Sequence, residues 1–95
     1  MAVAIIVEAA GMSASQYDAA IKDAFPNGQT PAAMQLHVSG PIDGGWRAVD
    51  VWDSQEAFDA YARGPLASAF EKNGIKVEPK ITVWPVHNMV TGARP

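Results

Sequence analysis

The chain has 95 residues, seven basic and ten acidic side chains, a net charge of −3 and no cysteine. The lack of a Lys/Arg-rich surface argues against nucleic acid and anionic membranes as partners, and the lack of thiols excludes disulfides, zinc-thiolate sites and cysteine catalysis. A cytoplasmic, single-domain protein is expected over residues 1–95; so short a chain buries only roughly 60–65% of its unfolded surface, which dimerisation commonly remedies.

"VAIIVEA" (Val3–Ala9) is short and β-branched, as expected of a buried strand. Glu8 interrupts the apolar run and there is no basic flank, so a strand fits better than a signal peptide or membrane span. In "SASQYDAAIKDAF", Ser13 and Gln16 are spaced as a capping box. Tyr17, Ile21, Ala24 and Phe25 share one face of the helix that follows. Pro26 and Asn27-Gly28 end it.

"MQLHVSG" and "WRAVDVW" read as a hairpin joined through "GPIDGG". The next helix is expected to be capped at Asp53 or Ser54, with Glu56 completing a box from Asp53. It is broken at Gly64-Pro65 and ended by Asn73-Gly74. Ala57, Phe58, Tyr61 and Ala62 form its inward stripe, continued by Leu66, Ala69 and Phe70. "IKVEPKITVWPVHNMV" supplies a last strand whose Pro79 and Pro85 require edges or bends, and residues 91–95 a loose tail. The order β-α-β-β-α-β predicts an α+β, ferredoxin-like fold: a four-stranded antiparallel sheet with both helices on one face. The other face then needs cover, which a second subunit could supply.

Side-chain alternation divides the hairpin. With the turn centred on Ile42-Asp43, Ser39 faces Trp46, His37 faces Ala48 and Gln35 faces Asp50. Gln35, His37, Ser39, Trp46, Ala48, Asp50 and Trp52 then share a polar, aromatic side that suits a half-buried cavity. Met34, Leu36, Val38, Val49 and Val51 share the other, read as ordinary core with only Arg47 out of character. A one-residue bulge near Gly44-Gly45 would reverse the division.

"DVWDSQEAFDAYARGPLASAF" resembles the dimeric α+β-barrel superfamily: a strand ending in an aromatic, a capped helix with "EAFDAY", and a break before "PLASAF". Its members include antibiotic-biosynthesis monooxygenases, haem-degrading monooxygenases, polyketide cyclases and stress-responsive barrel proteins. The resemblance implies a homodimer whose two sheets form a barrel, with a pocket between each sheet and its own helices. It places Tyr61 where the cyclases have a catalytic tyrosine and the haem-degrading enzymes a tryptophan against the porphyrin, and Pro65 at the cyclase-type break. The cyclase histidine falls at Ala67 and the haem-ligand histidine near Glu71, so haem binding in the known manner is not implied and a cyclase mechanism needs another base.

His37 is the candidate base, with Asp50 to orient it; a structural His–Asp pair satisfying two buried groups is the competing reading. Tyr61 is either a donor to a developing oxyanion or a core aromatic, and Gln35 is a second candidate donor. Trp46, Trp52 and Phe58 are candidate walls for an aromatic ligand, or plain packing; Trp84 is a candidate for the dimer interface. Arg47 could bind a substrate carboxylate. His87, beyond the last strand, is interfacial or closes a pocket. Two histidines and no cysteine do not suggest a transition-metal site; His37, Asp50 and Glu8 could form a trio only if all three share a face. "GPIDGGW" precedes no helix and is not a phosphate loop.

The function expected is cofactor-independent oxygenation or cyclisation of a hydrophobic, aromatic or polyketide-like molecule. The alternative is a non-catalytic ligand-binding or stress-responsive barrel protein.

Overall fold

A computed structural model describes residues 1–92; residues 93–95 of the expected loose tail lie outside that range. Strand β1 (Val3–Ala10) leads to helix α1 (Ala14–Ala24), a 3-10 turn at Pro26–Gly28, and the hairpin β2 (Met34–Ile42) and β3 (Gly45–Trp52). Helix α2 (Gln55–Tyr61), a π turn (Ala62–Leu66) and helix α3 (Ala67–Lys72) precede β4 (Lys80–Pro85). The strands lie in the order β2-β3-β1-β4, antiparallel throughout, with the helices on one face. This is the ferredoxin-like α+β arrangement the element order predicts. No helix among the described residues is long and apolar enough to cross a membrane.

Local chemistry explains the boundaries. The Ser13 amide donates to Gln16 Oε1 at 2.9 Å and the Gln16 amide to Ser13 Oγ at 3.2 Å, completing the capping box. Helix α2 is capped by Ser54, whose hydroxyl accepts from the Ala57 amide at 3.1 Å; the box expected from Asp53 to Glu56 does not form. Asp53 is occupied elsewhere: its amide donates to the Ala33 carbonyl and its carboxylate accepts from Gln35. Pro65 has no amide to continue the helical ladder, and the chain widens into the π turn around it. At the end of α3, Asn73 Nδ2 donates to the Ala69 carbonyl and to Asp23 Oδ2, both at 2.8 Å, tying α3 to α1. The last strand is shorter than expected, since Ile75–Pro79 run as an irregular connection.

The hairpin turn falls on Asp43-Gly44, one residue later than expected, with Gly44 at φ +78°. Ser39 therefore faces Ala48 and His37 faces Asp50 directly, a shift of two residues from the expected register. An even shift preserves the division of faces. The bulge lies between Met34 and Leu36 instead of near Gly44-Gly45. Gly45 packs so close to β1 that a Cβ there would strike the Ala9 carbonyl oxygen. Gly45→Ala is expected to lower stability by about 1–3 kcal/mol, the usual range for overpacking, as a fall in melting temperature.

The polar side lines a cavity as expected, and the other side departs from expectation. His37, Trp46, Ala48, Asp50 and Trp52 turn toward the helices and join Ile5, Val7 and Ala9 of β1 in or around the core. Much of the side read as ordinary core is open: Leu36, Val38 and Trp84 are 43%, 56% and 42% exposed, beside Ile6 and Val49, whereas Val51 is buried and Met34, beyond the bulge, packs against the core. The polar face can be buried because His37, Asp50 and Trp52 hydrogen-bond to one another.

Candidate functional site

The site lies between the sheet and the helices, around a chain of side chains that crosses from α1 to β3. Asp50 is only 4% exposed. Its Oδ1 stands 2.7 Å from His37 Nδ1, and its Oδ2 accepts from the Trp52 indole N–H at 3.0 Å. Tyr17 Oη lies 2.5 Å from His37 Nε2. The carboxylate requires a donor at Nδ1, which leaves the lone pair of neutral His37 on Nε2, where it accepts the Tyr17 hydroxyl proton. The result is a directed series, Tyr17 to His37 to Asp50, with Trp52 holding the second carboxylate oxygen.

Packing keeps these groups in place. Tyr17 stacks on Trp46 with ring centroids 4.9 Å apart, and Phe25 meets His37 edge-on at 5.6 Å. Tyr61 is buried, stacked on Phe25 at 6.0 Å and tilted against Trp52 at 5.1 Å. Together Tyr17, His37, Trp46, Asp50, Phe58 and Tyr61 help to wall a mainly apolar cavity of about 60 Å³. A groove of about 400 Å³ along β2 shares Tyr17, Ile21, Phe25 and His37 with it, so these four form a partition between the two spaces.

Burial pushes the phenol pKa of both Tyr17 and Tyr61 above the ordinary value of 10.0, with the negative charge of Asp50 adding to it; at Tyr17 the Ser39 hydroxyl opposes the shift in part. These are the only two tyrosines in the chain. Folding thus favours the neutral phenols. The stability they contribute is fully present below pH 10.0 and is lost as the pH climbs through their raised values. An ultraviolet titration is expected to show less tyrosinate in the native protein at pH 10.0 than in the unfolded chain, which is half ionised there. A normal native titration would contradict the buried placement.

The other expected site residues are dispersed. Gln35 is carried outward by the bulge; its amide donates to Asp53 Oδ1 at 2.8 Å, and it borders only the outer groove. Trp52, 1% exposed, is a core residue that orients Asp50 and does not wall the cavity. His87 is exposed and borders a shallow groove with Trp84 and Met89, apart from His37. Glu8 points to the open face and pairs with Arg47 at 3.0 Å, which removes it from any trio with His37 and Asp50 and occupies Arg47.

Tyr17 was expected to be inward-facing, but not part of the site. The signal was present: a phenol at the head of an apolar helical stripe needs a buried partner, and the facing sheet offers His37.

No family profile matches the sequence, and a search of curated proteins found no match. Solved structures do match. SnoaB from Streptomyces nogalater, a cofactor-independent oxygenase solved in a mutant form, superposes with a TM-score of 0.64 at 8% identity, over 96% of this chain and 97% of that one. Rv0793 from Mycobacterium tuberculosis gives 0.70 at 14% identity, covering 96% and 100%. A dimeric ferredoxin-like protein of unknown function from Thermobifida fusca gives 0.65 at 13% identity, covering 90% and 92%. At these identities the likeness is one of fold.

Proposed function

Because this chain has the fold of the dimeric α+β-barrel superfamily, in which antibiotic-biosynthesis-monooxygenase-like proteins are found, we propose that it is a cofactor-independent oxygenase of an aromatic or polyketide-like molecule. The observation that carries this reading is the Tyr17–His37–Asp50 series, half-buried at Tyr17 and His37 and buried at Asp50, beside an apolar cavity and an outer groove. The fold neighbour SnoaB, a cofactor-independent oxygenase, supports oxygenation over cyclisation.

The substrate class is a fused-ring phenol or β-dicarbonyl compound with an acidic CH₂. His37 Nε2 is the base, but Tyr17 already occupies it. The proton is therefore relayed: the Tyr17 oxygen takes it from substrate carbon while the phenol passes its own proton to Nε2. The raised phenol pKa of Tyr17 makes a free phenolate unfavourable and so favours a concerted transfer. Positive charge comes to rest on His37 beside Asp50, and Tyr61 donates to the substrate oxyanion. The carbanion gives its electrons to dioxygen, the resulting peroxide is protonated, and loss of water leaves a ketone. The balance is CH₂ + O₂ → C=O + H₂O, with no external reductant.

A homodimer belongs to the same reading. The open sheet face with Leu36, Val38 and Trp84 is the surface a second copy would cover, and the Thermobifida neighbour is described as dimeric.

The test is oxygen uptake with a panel of fused-ring phenols carrying an acidic CH₂, without added metal or flavin. One oxygen consumed per ketone formed is expected. The competing reading, a non-catalytic ligand-binding barrel, draws on the fact that both His37 nitrogens are already hydrogen-bonded. Ligand binding without oxygen uptake across the panel would favour it and remove the oxygenase assignment.

A further inference from the structure

The inner cavity, at about 60 Å³, is too small for a substrate ring as it stands; an apolar cavity that accepts benzene measures about 150 Å³. The groove along β2 is roomier, at about 400 Å³, but the partition of Tyr17, Ile21, Phe25 and His37 separates it from Tyr61. A ring can meet both the relay and Tyr61 only if one of these four side chains moves. Three of them are held. Tyr17 and His37 are hydrogen-bonded to each other, and Tyr17 is also stacked on Trp46. Ile21 lies within α1, where the preceding turn restricts its rotamers.

Phe25 is placed differently. A residue before proline is disfavoured in the helical conformation, and Phe25, ahead of Pro26, caps α1 at φ −123° and ψ 72°. Its backbone is fixed: the amide donates to the Ile21 carbonyl at 2.8 Å, and its carbonyl accepts from the Gly28 amide at 3.0 Å. Its side chain is half-buried and, outside the helix, escapes the helical restriction on χ1. The ring covers both groups a substrate must reach. It meets His37 edge-on at 82° and lies within 20° of parallel to Tyr61, with centroids 5.6 and 6.0 Å away.

We propose that Phe25 is a gate, and that a planar aromatic ring of the substrate takes the place of the Phe25 ring against His37 and Tyr61. This rests on the reading of the chain as an oxygenase of aromatic molecules and gives such a molecule its way in. Rotation of the Phe25 side chain toward solvent joins the groove to the inner cavity, because its ring borders both. A fused-ring molecule then places one ring where Phe25 stood and the rest in the groove beside Met34 and Leu36. Tyr17 borders both spaces, so the joined site adjoins the relay. The edge and stacking contacts that Phe25 gives up are remade by the incoming ring. A flat aromatic ring gains from this exchange and a flexible chain does not, which makes Phe25 a determinant of specificity. In the closed state its ring shields Tyr61 and His37 from the groove.

The gate can be tested without turnover, using 2-naphthol as the probe: it is a fused-ring phenol with no acidic CH₂ to react. A ligand that needs a minor open state has its affinity reduced by the fraction open, roughly 0.1–10% for such states. Phe25→Ala removes the ring and is therefore expected to bind 2-naphthol at least about tenfold tighter than the wild type in calorimetric titration. Phe25→Leu, a gentler change to the fold, is expected to fall between the two. In NMR spectra of the wild type with 2-naphthol, Overhauser contacts between the Phe25 and Tyr61 rings are expected to give way to contacts from naphthol to Tyr61. Naphthol bound with the Phe25–Tyr61 contacts intact overturns the gate. So does the absence of tighter binding in a folded Phe25→Ala or Phe25→Leu protein. Tighter binding by the variants, with no oxygen uptake by the wild type on the acidic-CH₂ panel, would keep the gate and remove the oxygenase reading. Uptake by the wild type with unchanged naphthol affinity in the variants would do the reverse.

Discussion

Asp50→Asn is expected to yield a folded protein whose oxygen uptake falls by about 10³–10⁴-fold, the scale seen when the acid of a His–Asp couple is replaced by its amide. The two carboxylate oxygens accept from two donors, His37 Nδ1–H and Trp52 Nε1–H. Asparagine has one oxygen to offer. If that oxygen faces Trp52, the amide NH₂ faces His37 and moves the imidazole proton to Nε2, the atom required as base. If it faces His37, the NH₂ opposes the indole and a buried donor is stranded. Either arrangement is expected to reduce stability by about 1–3 kcal/mol, the range for an unsatisfied buried group. The pairing of readouts matters: uptake measured on protein shown by melting to be folded separates loss of the base from loss of the fold. A folded Asp50→Asn protein with unchanged turnover would remove His37 from the chemistry.

Val38→Asp on the open sheet face is expected to convert the proposed dimer to a monomer in light scattering. Val38 is 56% exposed and shares its face with Leu36, Ile6, Val49 and Trp84. A two-fold interface meets any substitution twice. With a desolvation penalty of about 3 kcal/mol for each of two carboxylates, dimerisation weakens by about 10⁴-fold. The side chain of Val38 points away from the helices, so the monomer retains the Tyr17–His37–Asp50 series while losing the thermal stability the interface provides. A wild-type protein that is itself monomeric at high concentration would contradict the interface.

Much of the element order is readable because its signals are local. Ser13 with Gln16, Pro26, and Asn73-Gly74 each satisfy or interrupt backbone hydrogen bonds within a few residues of themselves. Strand parity is readable for a related reason: an error of two residues in register leaves His37 and Asp50 on the same side. Which side the helices cover is not set by parity. The apolar run Leu36, Val38, Val49, Val51 satisfies the ordinary pattern for a core, and only the three-dimensional closure of Tyr17, His37, Asp50 and Trp52 makes the polar face the one that can be buried. Gln35 is lost from the expected wall because the bulge depends on how β2 meets β3, which its own neighbours do not encode. Tyr17 is distant from His37 in the chain, and their contact exists only through the packing of α1 on the sheet.

The π turn at Ala62–Leu66 acts as a phase adjuster. A π turn holds one residue more than a regular helical turn, and one residue corresponds to about 100° of rotation. Tyr61 at its entrance and Leu66 and Phe70 at and beyond its exit all face the inner cavity only with that extra residue in place. Removing Gly64 would leave every cavity-lining side chain in the sequence and still turn α3 away from α2. The number of residues between Tyr61 and Leu66 is therefore part of the site's specification, as much as the residues themselves.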